Sequence, residues 1–252
     1  MRAMRPSSAL ERSISARSDP PASAIILSGV GGGVDGLGYM LLDRLFTAHI
    51  TGNTVQTGAA LAQLDLARAA VDAFPIAIFV LGGLVGGVLR NVLTGRVPRP
   101  RLVVLAASMA LLVAFVAAGV MLDAGKTPPP GGVSFYVLAT LATASMGVQN
   151  AARPMFAGRP VRTFMTGTMV DFGDALAAGA TARGGGRREH LRRAGLLFVT
   201  WLTYLVGAAV CAAAALRFGT FAAALPAAGL AVALAIECAR TCRRDREPRA
   251  GT

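Results

Sequence analysis

Charged side chains are scarce in this chain, at 15% of its residues, whereas a soluble domain carries about a quarter. Several long stretches contain no charge at all, and 54% of the residues are hydrophobic. Crossing the ~30 Å hydrocarbon core of a bilayer takes roughly 20 mostly apolar residues. Because several stretches reach that length, the composition predicts a polytopic integral membrane protein.

Cysteine and histidine are also rare, with three and two residues respectively. Cys211, Cys238 and Cys242 lack the spacing of a metal site, and the histidines, His49 and His190, stand alone. The sequence contains no HExxH motif, no phosphate-binding loop and no Ser/His/Asp order typical of a hydrolase. We therefore expect no metal, no cofactor and no enzymatic activity.

Acidic residues are few: 13 Asp and Glu residues stand against 25 Lys and Arg residues, which leaves a net charge of +12. In a soluble protein this excess would suggest nucleic acid, but no basic surface interleaved with aromatic residues supports that interpretation. In a membrane protein it indicates Arg-rich loops held in the cytoplasm. Such a face is also a candidate surface for anionic lipids. The expected partners are the bilayer and its lipids, and the sequence does not predict an oligomeric state.

Two kinds of helical segment are predicted. Six stretches are long enough to span the membrane, namely residues 24–46, 73–89, 102–122, 133–152, 195–216 and 218–236. Two more, residues 50–64 and 164–182, are shorter and more polar. The predicted fold is an all-α membrane protein with about six transmembrane helices and two short half-membrane helices. If the short helices also cross, the chain has seven or eight spans.

The distribution of positive charge favours six crossings. With the N-terminus inside and neither short segment crossing, 21 of the 25 Lys and Arg residues lie inside. If both short segments cross, 16 lie inside, and the best arrangement with only the first crossing places 18 inside. The positive-inside rule therefore predicts six spans with both termini in the cytoplasm.

The chain also repeats itself at an offset of 115 residues. Residues 51–61 match residues 166–176 at six of eleven positions, and Gly32 falls on Gly147. Three crossings in each unit would turn the second unit upside down relative to the first, as in inverted-topology repeats. We expect a first membrane repeat at 24–122, a linker at 123–132 and a second repeat at 133–237. Tails at 1–23 and 238–252 complete the chain.

Asp35 lies in the middle of the first predicted span, within a run of glycines. A charge at that depth costs roughly 2.5–3.5 kcal/mol on insertion scales, so such residues usually serve a function. One hypothesis is a site for a substrate, an ion or a proton. The other is a structural aspartate that accepts hydrogen bonds from the Thr-Gly segment that follows.

The repeated Thr-Gly segments are the second candidate feature. A helix that breaks at Gly52 or Gly167 would expose backbone groups and a helix end at membrane depth, where small polar solutes or ions bind in transporters. The alternative is hydrogen bonding between helices. The residues concerned are Thr51, Gly52, Asn53 and Gln56 in the first unit, and Thr166, Gly167, Thr168 and Asp171 in the second.

Two further groups of polar residues complete the predicted site. Gln149 and Asn150 fall on the positions of Val34 and Asp35 in the repeat. Asp171 lies three residues before Asp174 and shares its helix face, so the two carboxylates could share a proton. The alternatives are a span end near the headgroups for the amides, and pairing with Arg153 or Arg162 for Asp171.

The residues around both motifs resemble a known family. Residues 34–38 and 46–55, followed by residues 147–153 and 163–168, resemble the signature of the YoaK family of uncharacterised bacterial transmembrane proteins. The resemblance implies a multi-pass protein of the bacterial inner membrane, and it implies no substrate or reaction. It extends from about residue 24 to residue 237.

Two hypotheses for function follow from these patterns. The first is a small-solute or ion transporter, or a channel-like permease, whose site lies between the two repeats. The second is a non-transporting assembly partner or regulator that uses its Gly-rich spans or its Arg-rich face.

Overall fold

The computed structural model describes residues 22–122, 128–152, 165–182 and 186–246. Within these ranges all regular structure is helical. The helices are α1 Ala22–Leu41, α2 Ile50–Ala62, α3 Leu66–Leu93, α4 Pro100–Met121, α5 Val133–Ala151, α6 Met165–Thr181, α7 Gly186–Phe218, a 3-10 turn Gly219–Ala223, and α8 Ala224–Arg246. The α-helical class predicted from the sequence is confirmed.

Four helical stretches of the described chain are long and apolar enough to cross a membrane: Ala22–Leu41, Leu66–Leu93, Pro100–Met121 and Gly186–Arg240, the last of which contains α7 and most of α8. These stretches identify the protein as membrane-embedded. Helix α5 falls outside this set because polar residues, above all Gln149 and Asn150 near its end, lower its mean hydropathy. It packs against both α3 and α4, and Ser145 exchanges hydrogen bonds there with Ser108.

The helices pack in matching pairs. Helix α1 lies against α7, and α3 lies against α5. The short helices α2 and α6 pack on α3 and α7 respectively, whereas α4 contacts α5 and α8 contacts α1. Helices α4 and α8 also touch each other. If α1 to α4 are exchanged in order with α5 to α8, the contact between α4 and α8 is unchanged, and each of the other contacts becomes another member of the set.

Glycines set the closest of these contacts. A Cβ atom on Gly32 would lie 2.0 Å from the Tyr204 carbonyl oxygen, and one on Gly36 would lie 2.4 Å from that of Ala208. Only glycine therefore allows α1 and α7 to approach so closely. Since the residue numbers rise together along both helices, α1 and α7 run parallel.

The contact between α3 and α5 follows the same principle. A Cβ atom on Gly82 would lie 2.7 Å from the Ala144 carbonyl oxygen, and one on Gly86 would lie 3.0 Å from the Cα atom of Val148. Residue numbers rise together here too, so these helices are also parallel.

Polar clusters join the helix ends. In the Arg101 cluster, which consists of Ser23, Arg101 and Glu237, an Arg101 guanidinium nitrogen lies 2.7 Å from a Glu237 carboxylate oxygen. Ser23 donates to Glu237 and lies 3.4 Å from Arg101. This cluster brings together the start of α1, the start of α4 and the last part of α8.

A second cluster lies beyond the other end of α1. In the Arg68 cluster, Arg68 pairs with Asp43, which follows α1, and with Asp72, whose carboxylate lies 2.8 Å away. The end of α1 and the start of α3 are therefore held at the same level.

Several helix limits differ from those expected from hydropathy. Helix α1 ends at Leu41 and not near residue 46, because Asp43 and Arg44 adopt left-handed backbone conformations that end a right-handed helix. Helices α3 and α7 are longer than predicted, since they continue into polar turns at their ends. The final helix reaches Arg246, within the segment expected to form a tail. The N-terminal tail expected at 1–23 lies almost entirely outside the described residues.

Candidate functional site

Asp35 is almost fully buried, with 3% of its surface exposed, and it accepts hydrogen bonds from the chain that precedes α2. Its Oδ1 atom accepts from the backbone N–H groups of Thr47 and Ala48, each at 2.6 Å, from the Thr47 hydroxyl at 3.0 Å and from the His49 N–H at 3.4 Å. Its Oδ2 atom accepts from the Tyr204 hydroxyl at 2.5 Å. All of these donors are neutral, so the carboxylate has no cationic partner among the described residues.

These contacts show that the chain turns back into the bundle after α1. Asp35 precedes Asp43 by eight residues, which is about 12 Å along a helix. Thr47 and Ala48 nevertheless contact Asp35, so the loop descends by roughly that distance before α2 begins. Helix α2 then leads the chain back to Arg68, which pairs with Asp43. The segment between Asp43 and Arg68 therefore begins and ends at the same end of the bundle.

Asn53 fixes the loop from inside α2. Its side-chain oxygen accepts from the Phe46 N–H at 3.0 Å, and its amide nitrogen donates to the Phe46 carbonyl at 2.6 Å. Asn53 is fully buried. Gly52 lies beside it, and a Cβ atom there would lie 2.7 Å from the Phe46 ring. Asn53 therefore holds the loop, and Gly52 allows the Phe46 ring to pack closely against α2.

Two cavities lie beside the loop that binds Asp35. The larger, of about 60 Å³, lies between Asp35, Thr51, His49, Met165 and Tyr204. The smaller, of about 20 Å³, is lined by Ser28, Gly31, Ala48, Met146, Gln149, Asn150 and Tyr204. Ala48 and Tyr204 line both. Since about 10–15 Å³ is enough for one water molecule, each cavity has room for a small polar occupant.

Gln149 presents an unpaired oxygen at the smaller cavity. Its amide nitrogen donates to the Leu27 carbonyl at 3.3 Å, and the side chain is 4% exposed. Its Oε1 atom is buried and has no hydrogen-bond partner in the described part of the chain. A buried acceptor left without a donor costs about 1–3 kcal/mol. Asn150, which also lines the cavity, donates to the Met146 carbonyl at 2.8 Å.

The cavities contain some of the predicted site residues and omit others. Asp35 and Thr51 from the first half line the larger cavity, whereas Gln149 and Asn150 from the second half line the smaller one. The remaining candidates lie outside both linings: Gly52, Asn53, Gln56, Thr166, Gly167, Thr168 and Asp171.

Of these outlying residues, Gln56 donates to the Arg44 carbonyl at 3.3 Å, and its own Oε1 atom is buried without a partner among the described residues. In the second segment Thr168 and Asp171 are buried, whereas Thr166 is exposed. Met165, the first residue of α6, contacts the larger cavity in place of the Thr-Gly pair. The suggested partners of Asp171, Arg153 and Arg162, lie outside the described residues.

Sequence reasoning missed Tyr204 and Ser28. Tyr204 joins Asp35 to both cavities, and Ser28 donates to the Thr200 carbonyl at 3.0 Å beside the smaller one. A tyrosine in the middle of an apolar span was the available signal, because membrane tyrosines are usually found at the interfaces. Ser28 gave no comparable signal, since a single hydroxyl is common in a transmembrane helix.

The described residues include no cluster of three or more His, Cys, Asp or Glu side chains that could hold a metal ion. The chemistry available at the two cavities is therefore that of one carboxylate, hydroxyl groups, amides and an imidazole. Such groups can bind a small polar molecule or a cation by hydrogen bonding and charge.

Comparison with known proteins identifies the family. A family described as "protein of unknown function (DUF1275)" matches residues 23–236, which covers most of the chain. No curated protein and no solved structure matches it. The family match confirms the resemblance to an uncharacterised family that the sequence motifs indicated. This chain therefore belongs to the DUF1275 family of proteins of unknown function.

Proposed function

We propose that this protein transports a small solute or ion through a polar site between two inverted repeats of three crossings each, in the bacterial inner membrane and with both termini in the cytoplasm. The observation that carries the proposal is a pair of cavities that share Ala48 and Tyr204. Each is lined by residues of both halves of the chain, and Asp35 lines the larger. Four further features of the structure support it.

The contacts between helix ends support six crossings. Arg101 and Ser23 meet, so the starts of α1 and α4 lie on one side of the membrane. The chain between them must cross an even number of times, and α1 and α3 account for two crossings. Arg101 also pairs with Glu237 near the end of α8, and α4, α5, α7 and α8 account for the four crossings between them. Neither α2 nor α6 then completes a crossing.

The pattern of burial supports the duplication. Asn53 and Thr168, which are equivalent at the 115-residue offset, are 0% and 2% exposed. Val55 and Val170 are equivalent as well and are both exposed, at 72% and 56%. The helix pairs described above also exchange when the halves are exchanged. An inverted repeat predicts this agreement, because each half then presents the same faces to its surroundings.

The depth of Asp35 supports a functional site. Asp35 lies 12 residues from Ser23, or about 18 Å along α1, and about 12 Å from Asp43. The two polar clusters near those residues lie about as far apart as the hydrocarbon core is thick. Asp35 is therefore close to the middle of the bilayer, where ionisable residues usually belong to a pathway or relay.

The irregular chain beside Asp35 supports the same interpretation. Non-helical backbone at membrane depth occurs only where it is buried in protein or lines a polar cavity. The loop that contains Thr47 and Ala48 has both properties, since it binds Asp35 and Ala48 lines both cavities. Broken segments of this kind form the substrate sites of many transporters.

Flux through reconstituted protein tests the proposal. Purified protein in liposomes would be assayed for uptake of protons, sodium, potassium, ammonium and glycerol. We expect at least one of these fluxes to exceed that of empty liposomes and to fall about tenfold or more in D35N. D72N is the matched control, because Asp72 is a similarly buried carboxylate in the Arg68 cluster. Equal fluxes in D35N and the parent protein would refute the role of Asp35.

Folded protein that moves none of these solutes would instead favour the alternative of a non-transporting assembly partner. Gel filtration of the same preparation establishes folding. We expect a monodisperse peak for both the parent protein and D72N.

Cysteine labelling tests the six-crossing topology. In a background without Cys211, Cys238 and Cys242, single cysteines would replace Arg44 and Leu64, which flank α2, and Thr94, which follows α3. Arg44 and Leu64 are exposed, so thiols there are accessible. We expect an impermeant maleimide to label R44C and L64C from outside and T94C from inside. Labelling of R44C and L64C from opposite sides would mean that α2 crosses the membrane.

A further inference from the structure

Three oxygen atoms at the smaller cavity can accept a hydrogen bond from an occupant, and the two that belong to hydroxyl groups have no proton left to donate. The Tyr204 hydroxyl gives its single proton to Asp35 at 2.5 Å. The Ser28 hydroxyl gives its proton to the Thr200 carbonyl at 3.0 Å, and its other neighbour, the Met165 sulfur at 3.8 Å, is also an acceptor. The lone pairs of both hydroxyl oxygens remain available.

Gln149 supplies the third acceptor. Rotating its amide by 180° would place Oε1 against the Leu27 carbonyl, where two acceptors would repel each other, so the hydrogen bond at 3.3 Å fixes the orientation of the group. Oε1 is thereby left buried beside the cavity without a donor in the described residues. A buried unpaired acceptor in a native protein indicates an unseen water molecule or ion.

The volume of the cavity limits the size of the occupant. About 20 Å³ holds one particle of the size of a water molecule. Acceptor oxygens that surround such a particle favour a positive charge. Asp35 is the one carboxylate among the described residues that line the two cavities. It lies on the other side of the Tyr204 hydroxyl from the smaller cavity.

We propose that the smaller cavity is a binding site for a monovalent cation of about the size of a water molecule, such as ammonium or potassium. Gln149 Oε1, Ser28 Oγ and Tyr204 Oη are its ligands. The larger cavity, where Asp35 supplies the charge, is the adjoining position along the same path. The binding of the cation can be measured without flux. Only its movement through the protein rests on the proposed transport function.

Thermal unfolding of the purified protein in detergent tests the site. The protein would be prepared in choline chloride and titrated with ammonium, potassium or sodium chloride at constant ionic strength. We expect ammonium or potassium to raise the unfolding temperature in a saturable manner, because a ligand that binds only the native state stabilises it. Choline is too large for the cavity and should have no such effect.

Substitutions at two glutamines separate the site from general salt effects. Q149L should abolish the saturable rise, and Q149E should lower the half-saturating cation concentration by about tenfold because it adds a negative charge beside the ion. Q56L is the matched control, since Gln56 also has a buried unpaired oxygen but lies outside both cavity linings. Q56L should therefore respond as the parent protein does. If Q149L does not fold, S28A replaces it and should weaken the response.

The outcomes for binding and transport can be told apart. A saturable rise that survives in both Q149L and S28A, or its absence from the parent protein with every cation, would overturn the cation site. In that case a flux that depends on Asp35 would still support transport. Conversely, a rise that is lost in Q149L, combined with no flux of any tested solute, would support the site and refute transport.

Discussion

The two Thr-Gly segments have the same pattern of burial but are held by different chemistry. In the first segment Asn53 binds the Phe46 backbone twice, and Asp35 accepts from the loop that leads into α2. The residue that aligns with Asp35 in the second half is Asn150, which donates to the Met146 carbonyl of its own helix. The first half therefore supplies a charge to the cavities, and the second half supplies amides. Equivalent positions in the two halves therefore retain their burial although their polar roles differ.

The largest effect should come from removing the charge that distinguishes the two halves. D35L leaves the N–H groups of Thr47 and Ala48 and the hydroxyl of Tyr204 without their acceptor in a buried place. At about 1–3 kcal/mol for each of the three groups, we expect a loss of about 3–9 kcal/mol in the free energy of unfolding. Denaturation in mixed detergent micelles measures it.

The aligned substitution N150L is the comparison for D35L. Its loss should be smaller by at least about 2 kcal/mol, because the Met146 carbonyl already belongs to a helix and needs no side-chain donor. Equal losses in D35L and N150L would mean that the two halves depend on these positions to the same extent.

The next largest effect should come from the paired glycines, where the two halves are expected to behave alike. A Cβ atom on Gly32 would lie 2.0 Å from the Tyr204 carbonyl oxygen, and one on Gly147 would lie 2.5 Å from that of Phe79. In each case a backbone must move, so we expect G32A and G147A to destabilise by about 3 kcal/mol each. The same unfolding measurement applies.

Gly87 provides the control for the glycine series. A Cβ atom there would meet nothing within 4 Å, although the residue also lies in a membrane helix. G87A should be neutral or should stabilise by about 0.5–1 kcal/mol, because alanine is the better helix former. A large loss in G87A would show that the glycines act through something other than close helix contact.

Hydropathy predicted the helices well but not the course of the chain between them. The limits of α2 and α6 lie within two residues of the segments expected at 50–64 and 164–182, because polar residues interrupt the apolar pattern there. The early end of α1 was not predictable in this way. It depends on the left-handed residues Asp43 and Arg44 and on the attraction of Asp35 for backbone groups far along the chain.

Only part of the candidate site was predictable from the sequence. Asp35 and Gln149 stood out because polar side chains are rare at membrane depth, and both line cavities. Whether Asn53 or Thr51 faces a cavity depends on how α2 is rotated, and no periodic pattern in so short a helix determines that. Tyr204 reaches Asp35 because glycines bring α1 and α7 together, which is a property of two distant segments.

A smaller effect is expected within the Thr-Gly segments. N53A removes both bonds to the Phe46 backbone, and we expect it to cost about 2 kcal/mol in the free energy of unfolding. T168A changes the equivalent buried position, where the side chain is shorter, and should cost about 1 kcal/mol. If T168A were the more damaging variant, the second segment would be the more firmly held of the two.

The smallest effect is expected at the first residue of each segment. Thr51 and Thr166 are both exposed, and the Thr51 hydroxyl has only a long contact of 3.4 Å with the His49 ring. T51V and T166V should therefore change the free energy of unfolding by less than about 0.5 kcal/mol. Function should distinguish them, because Thr51 lines the larger cavity and Thr166 does not. We expect T51V to lower the flux attributed to this cavity and T166V to leave it unchanged. A polar group that lines the path of an ion contributes to the barrier even when it contributes nothing to stability. Equal flux in the two variants would therefore place the pathway away from the first Thr-Gly segment.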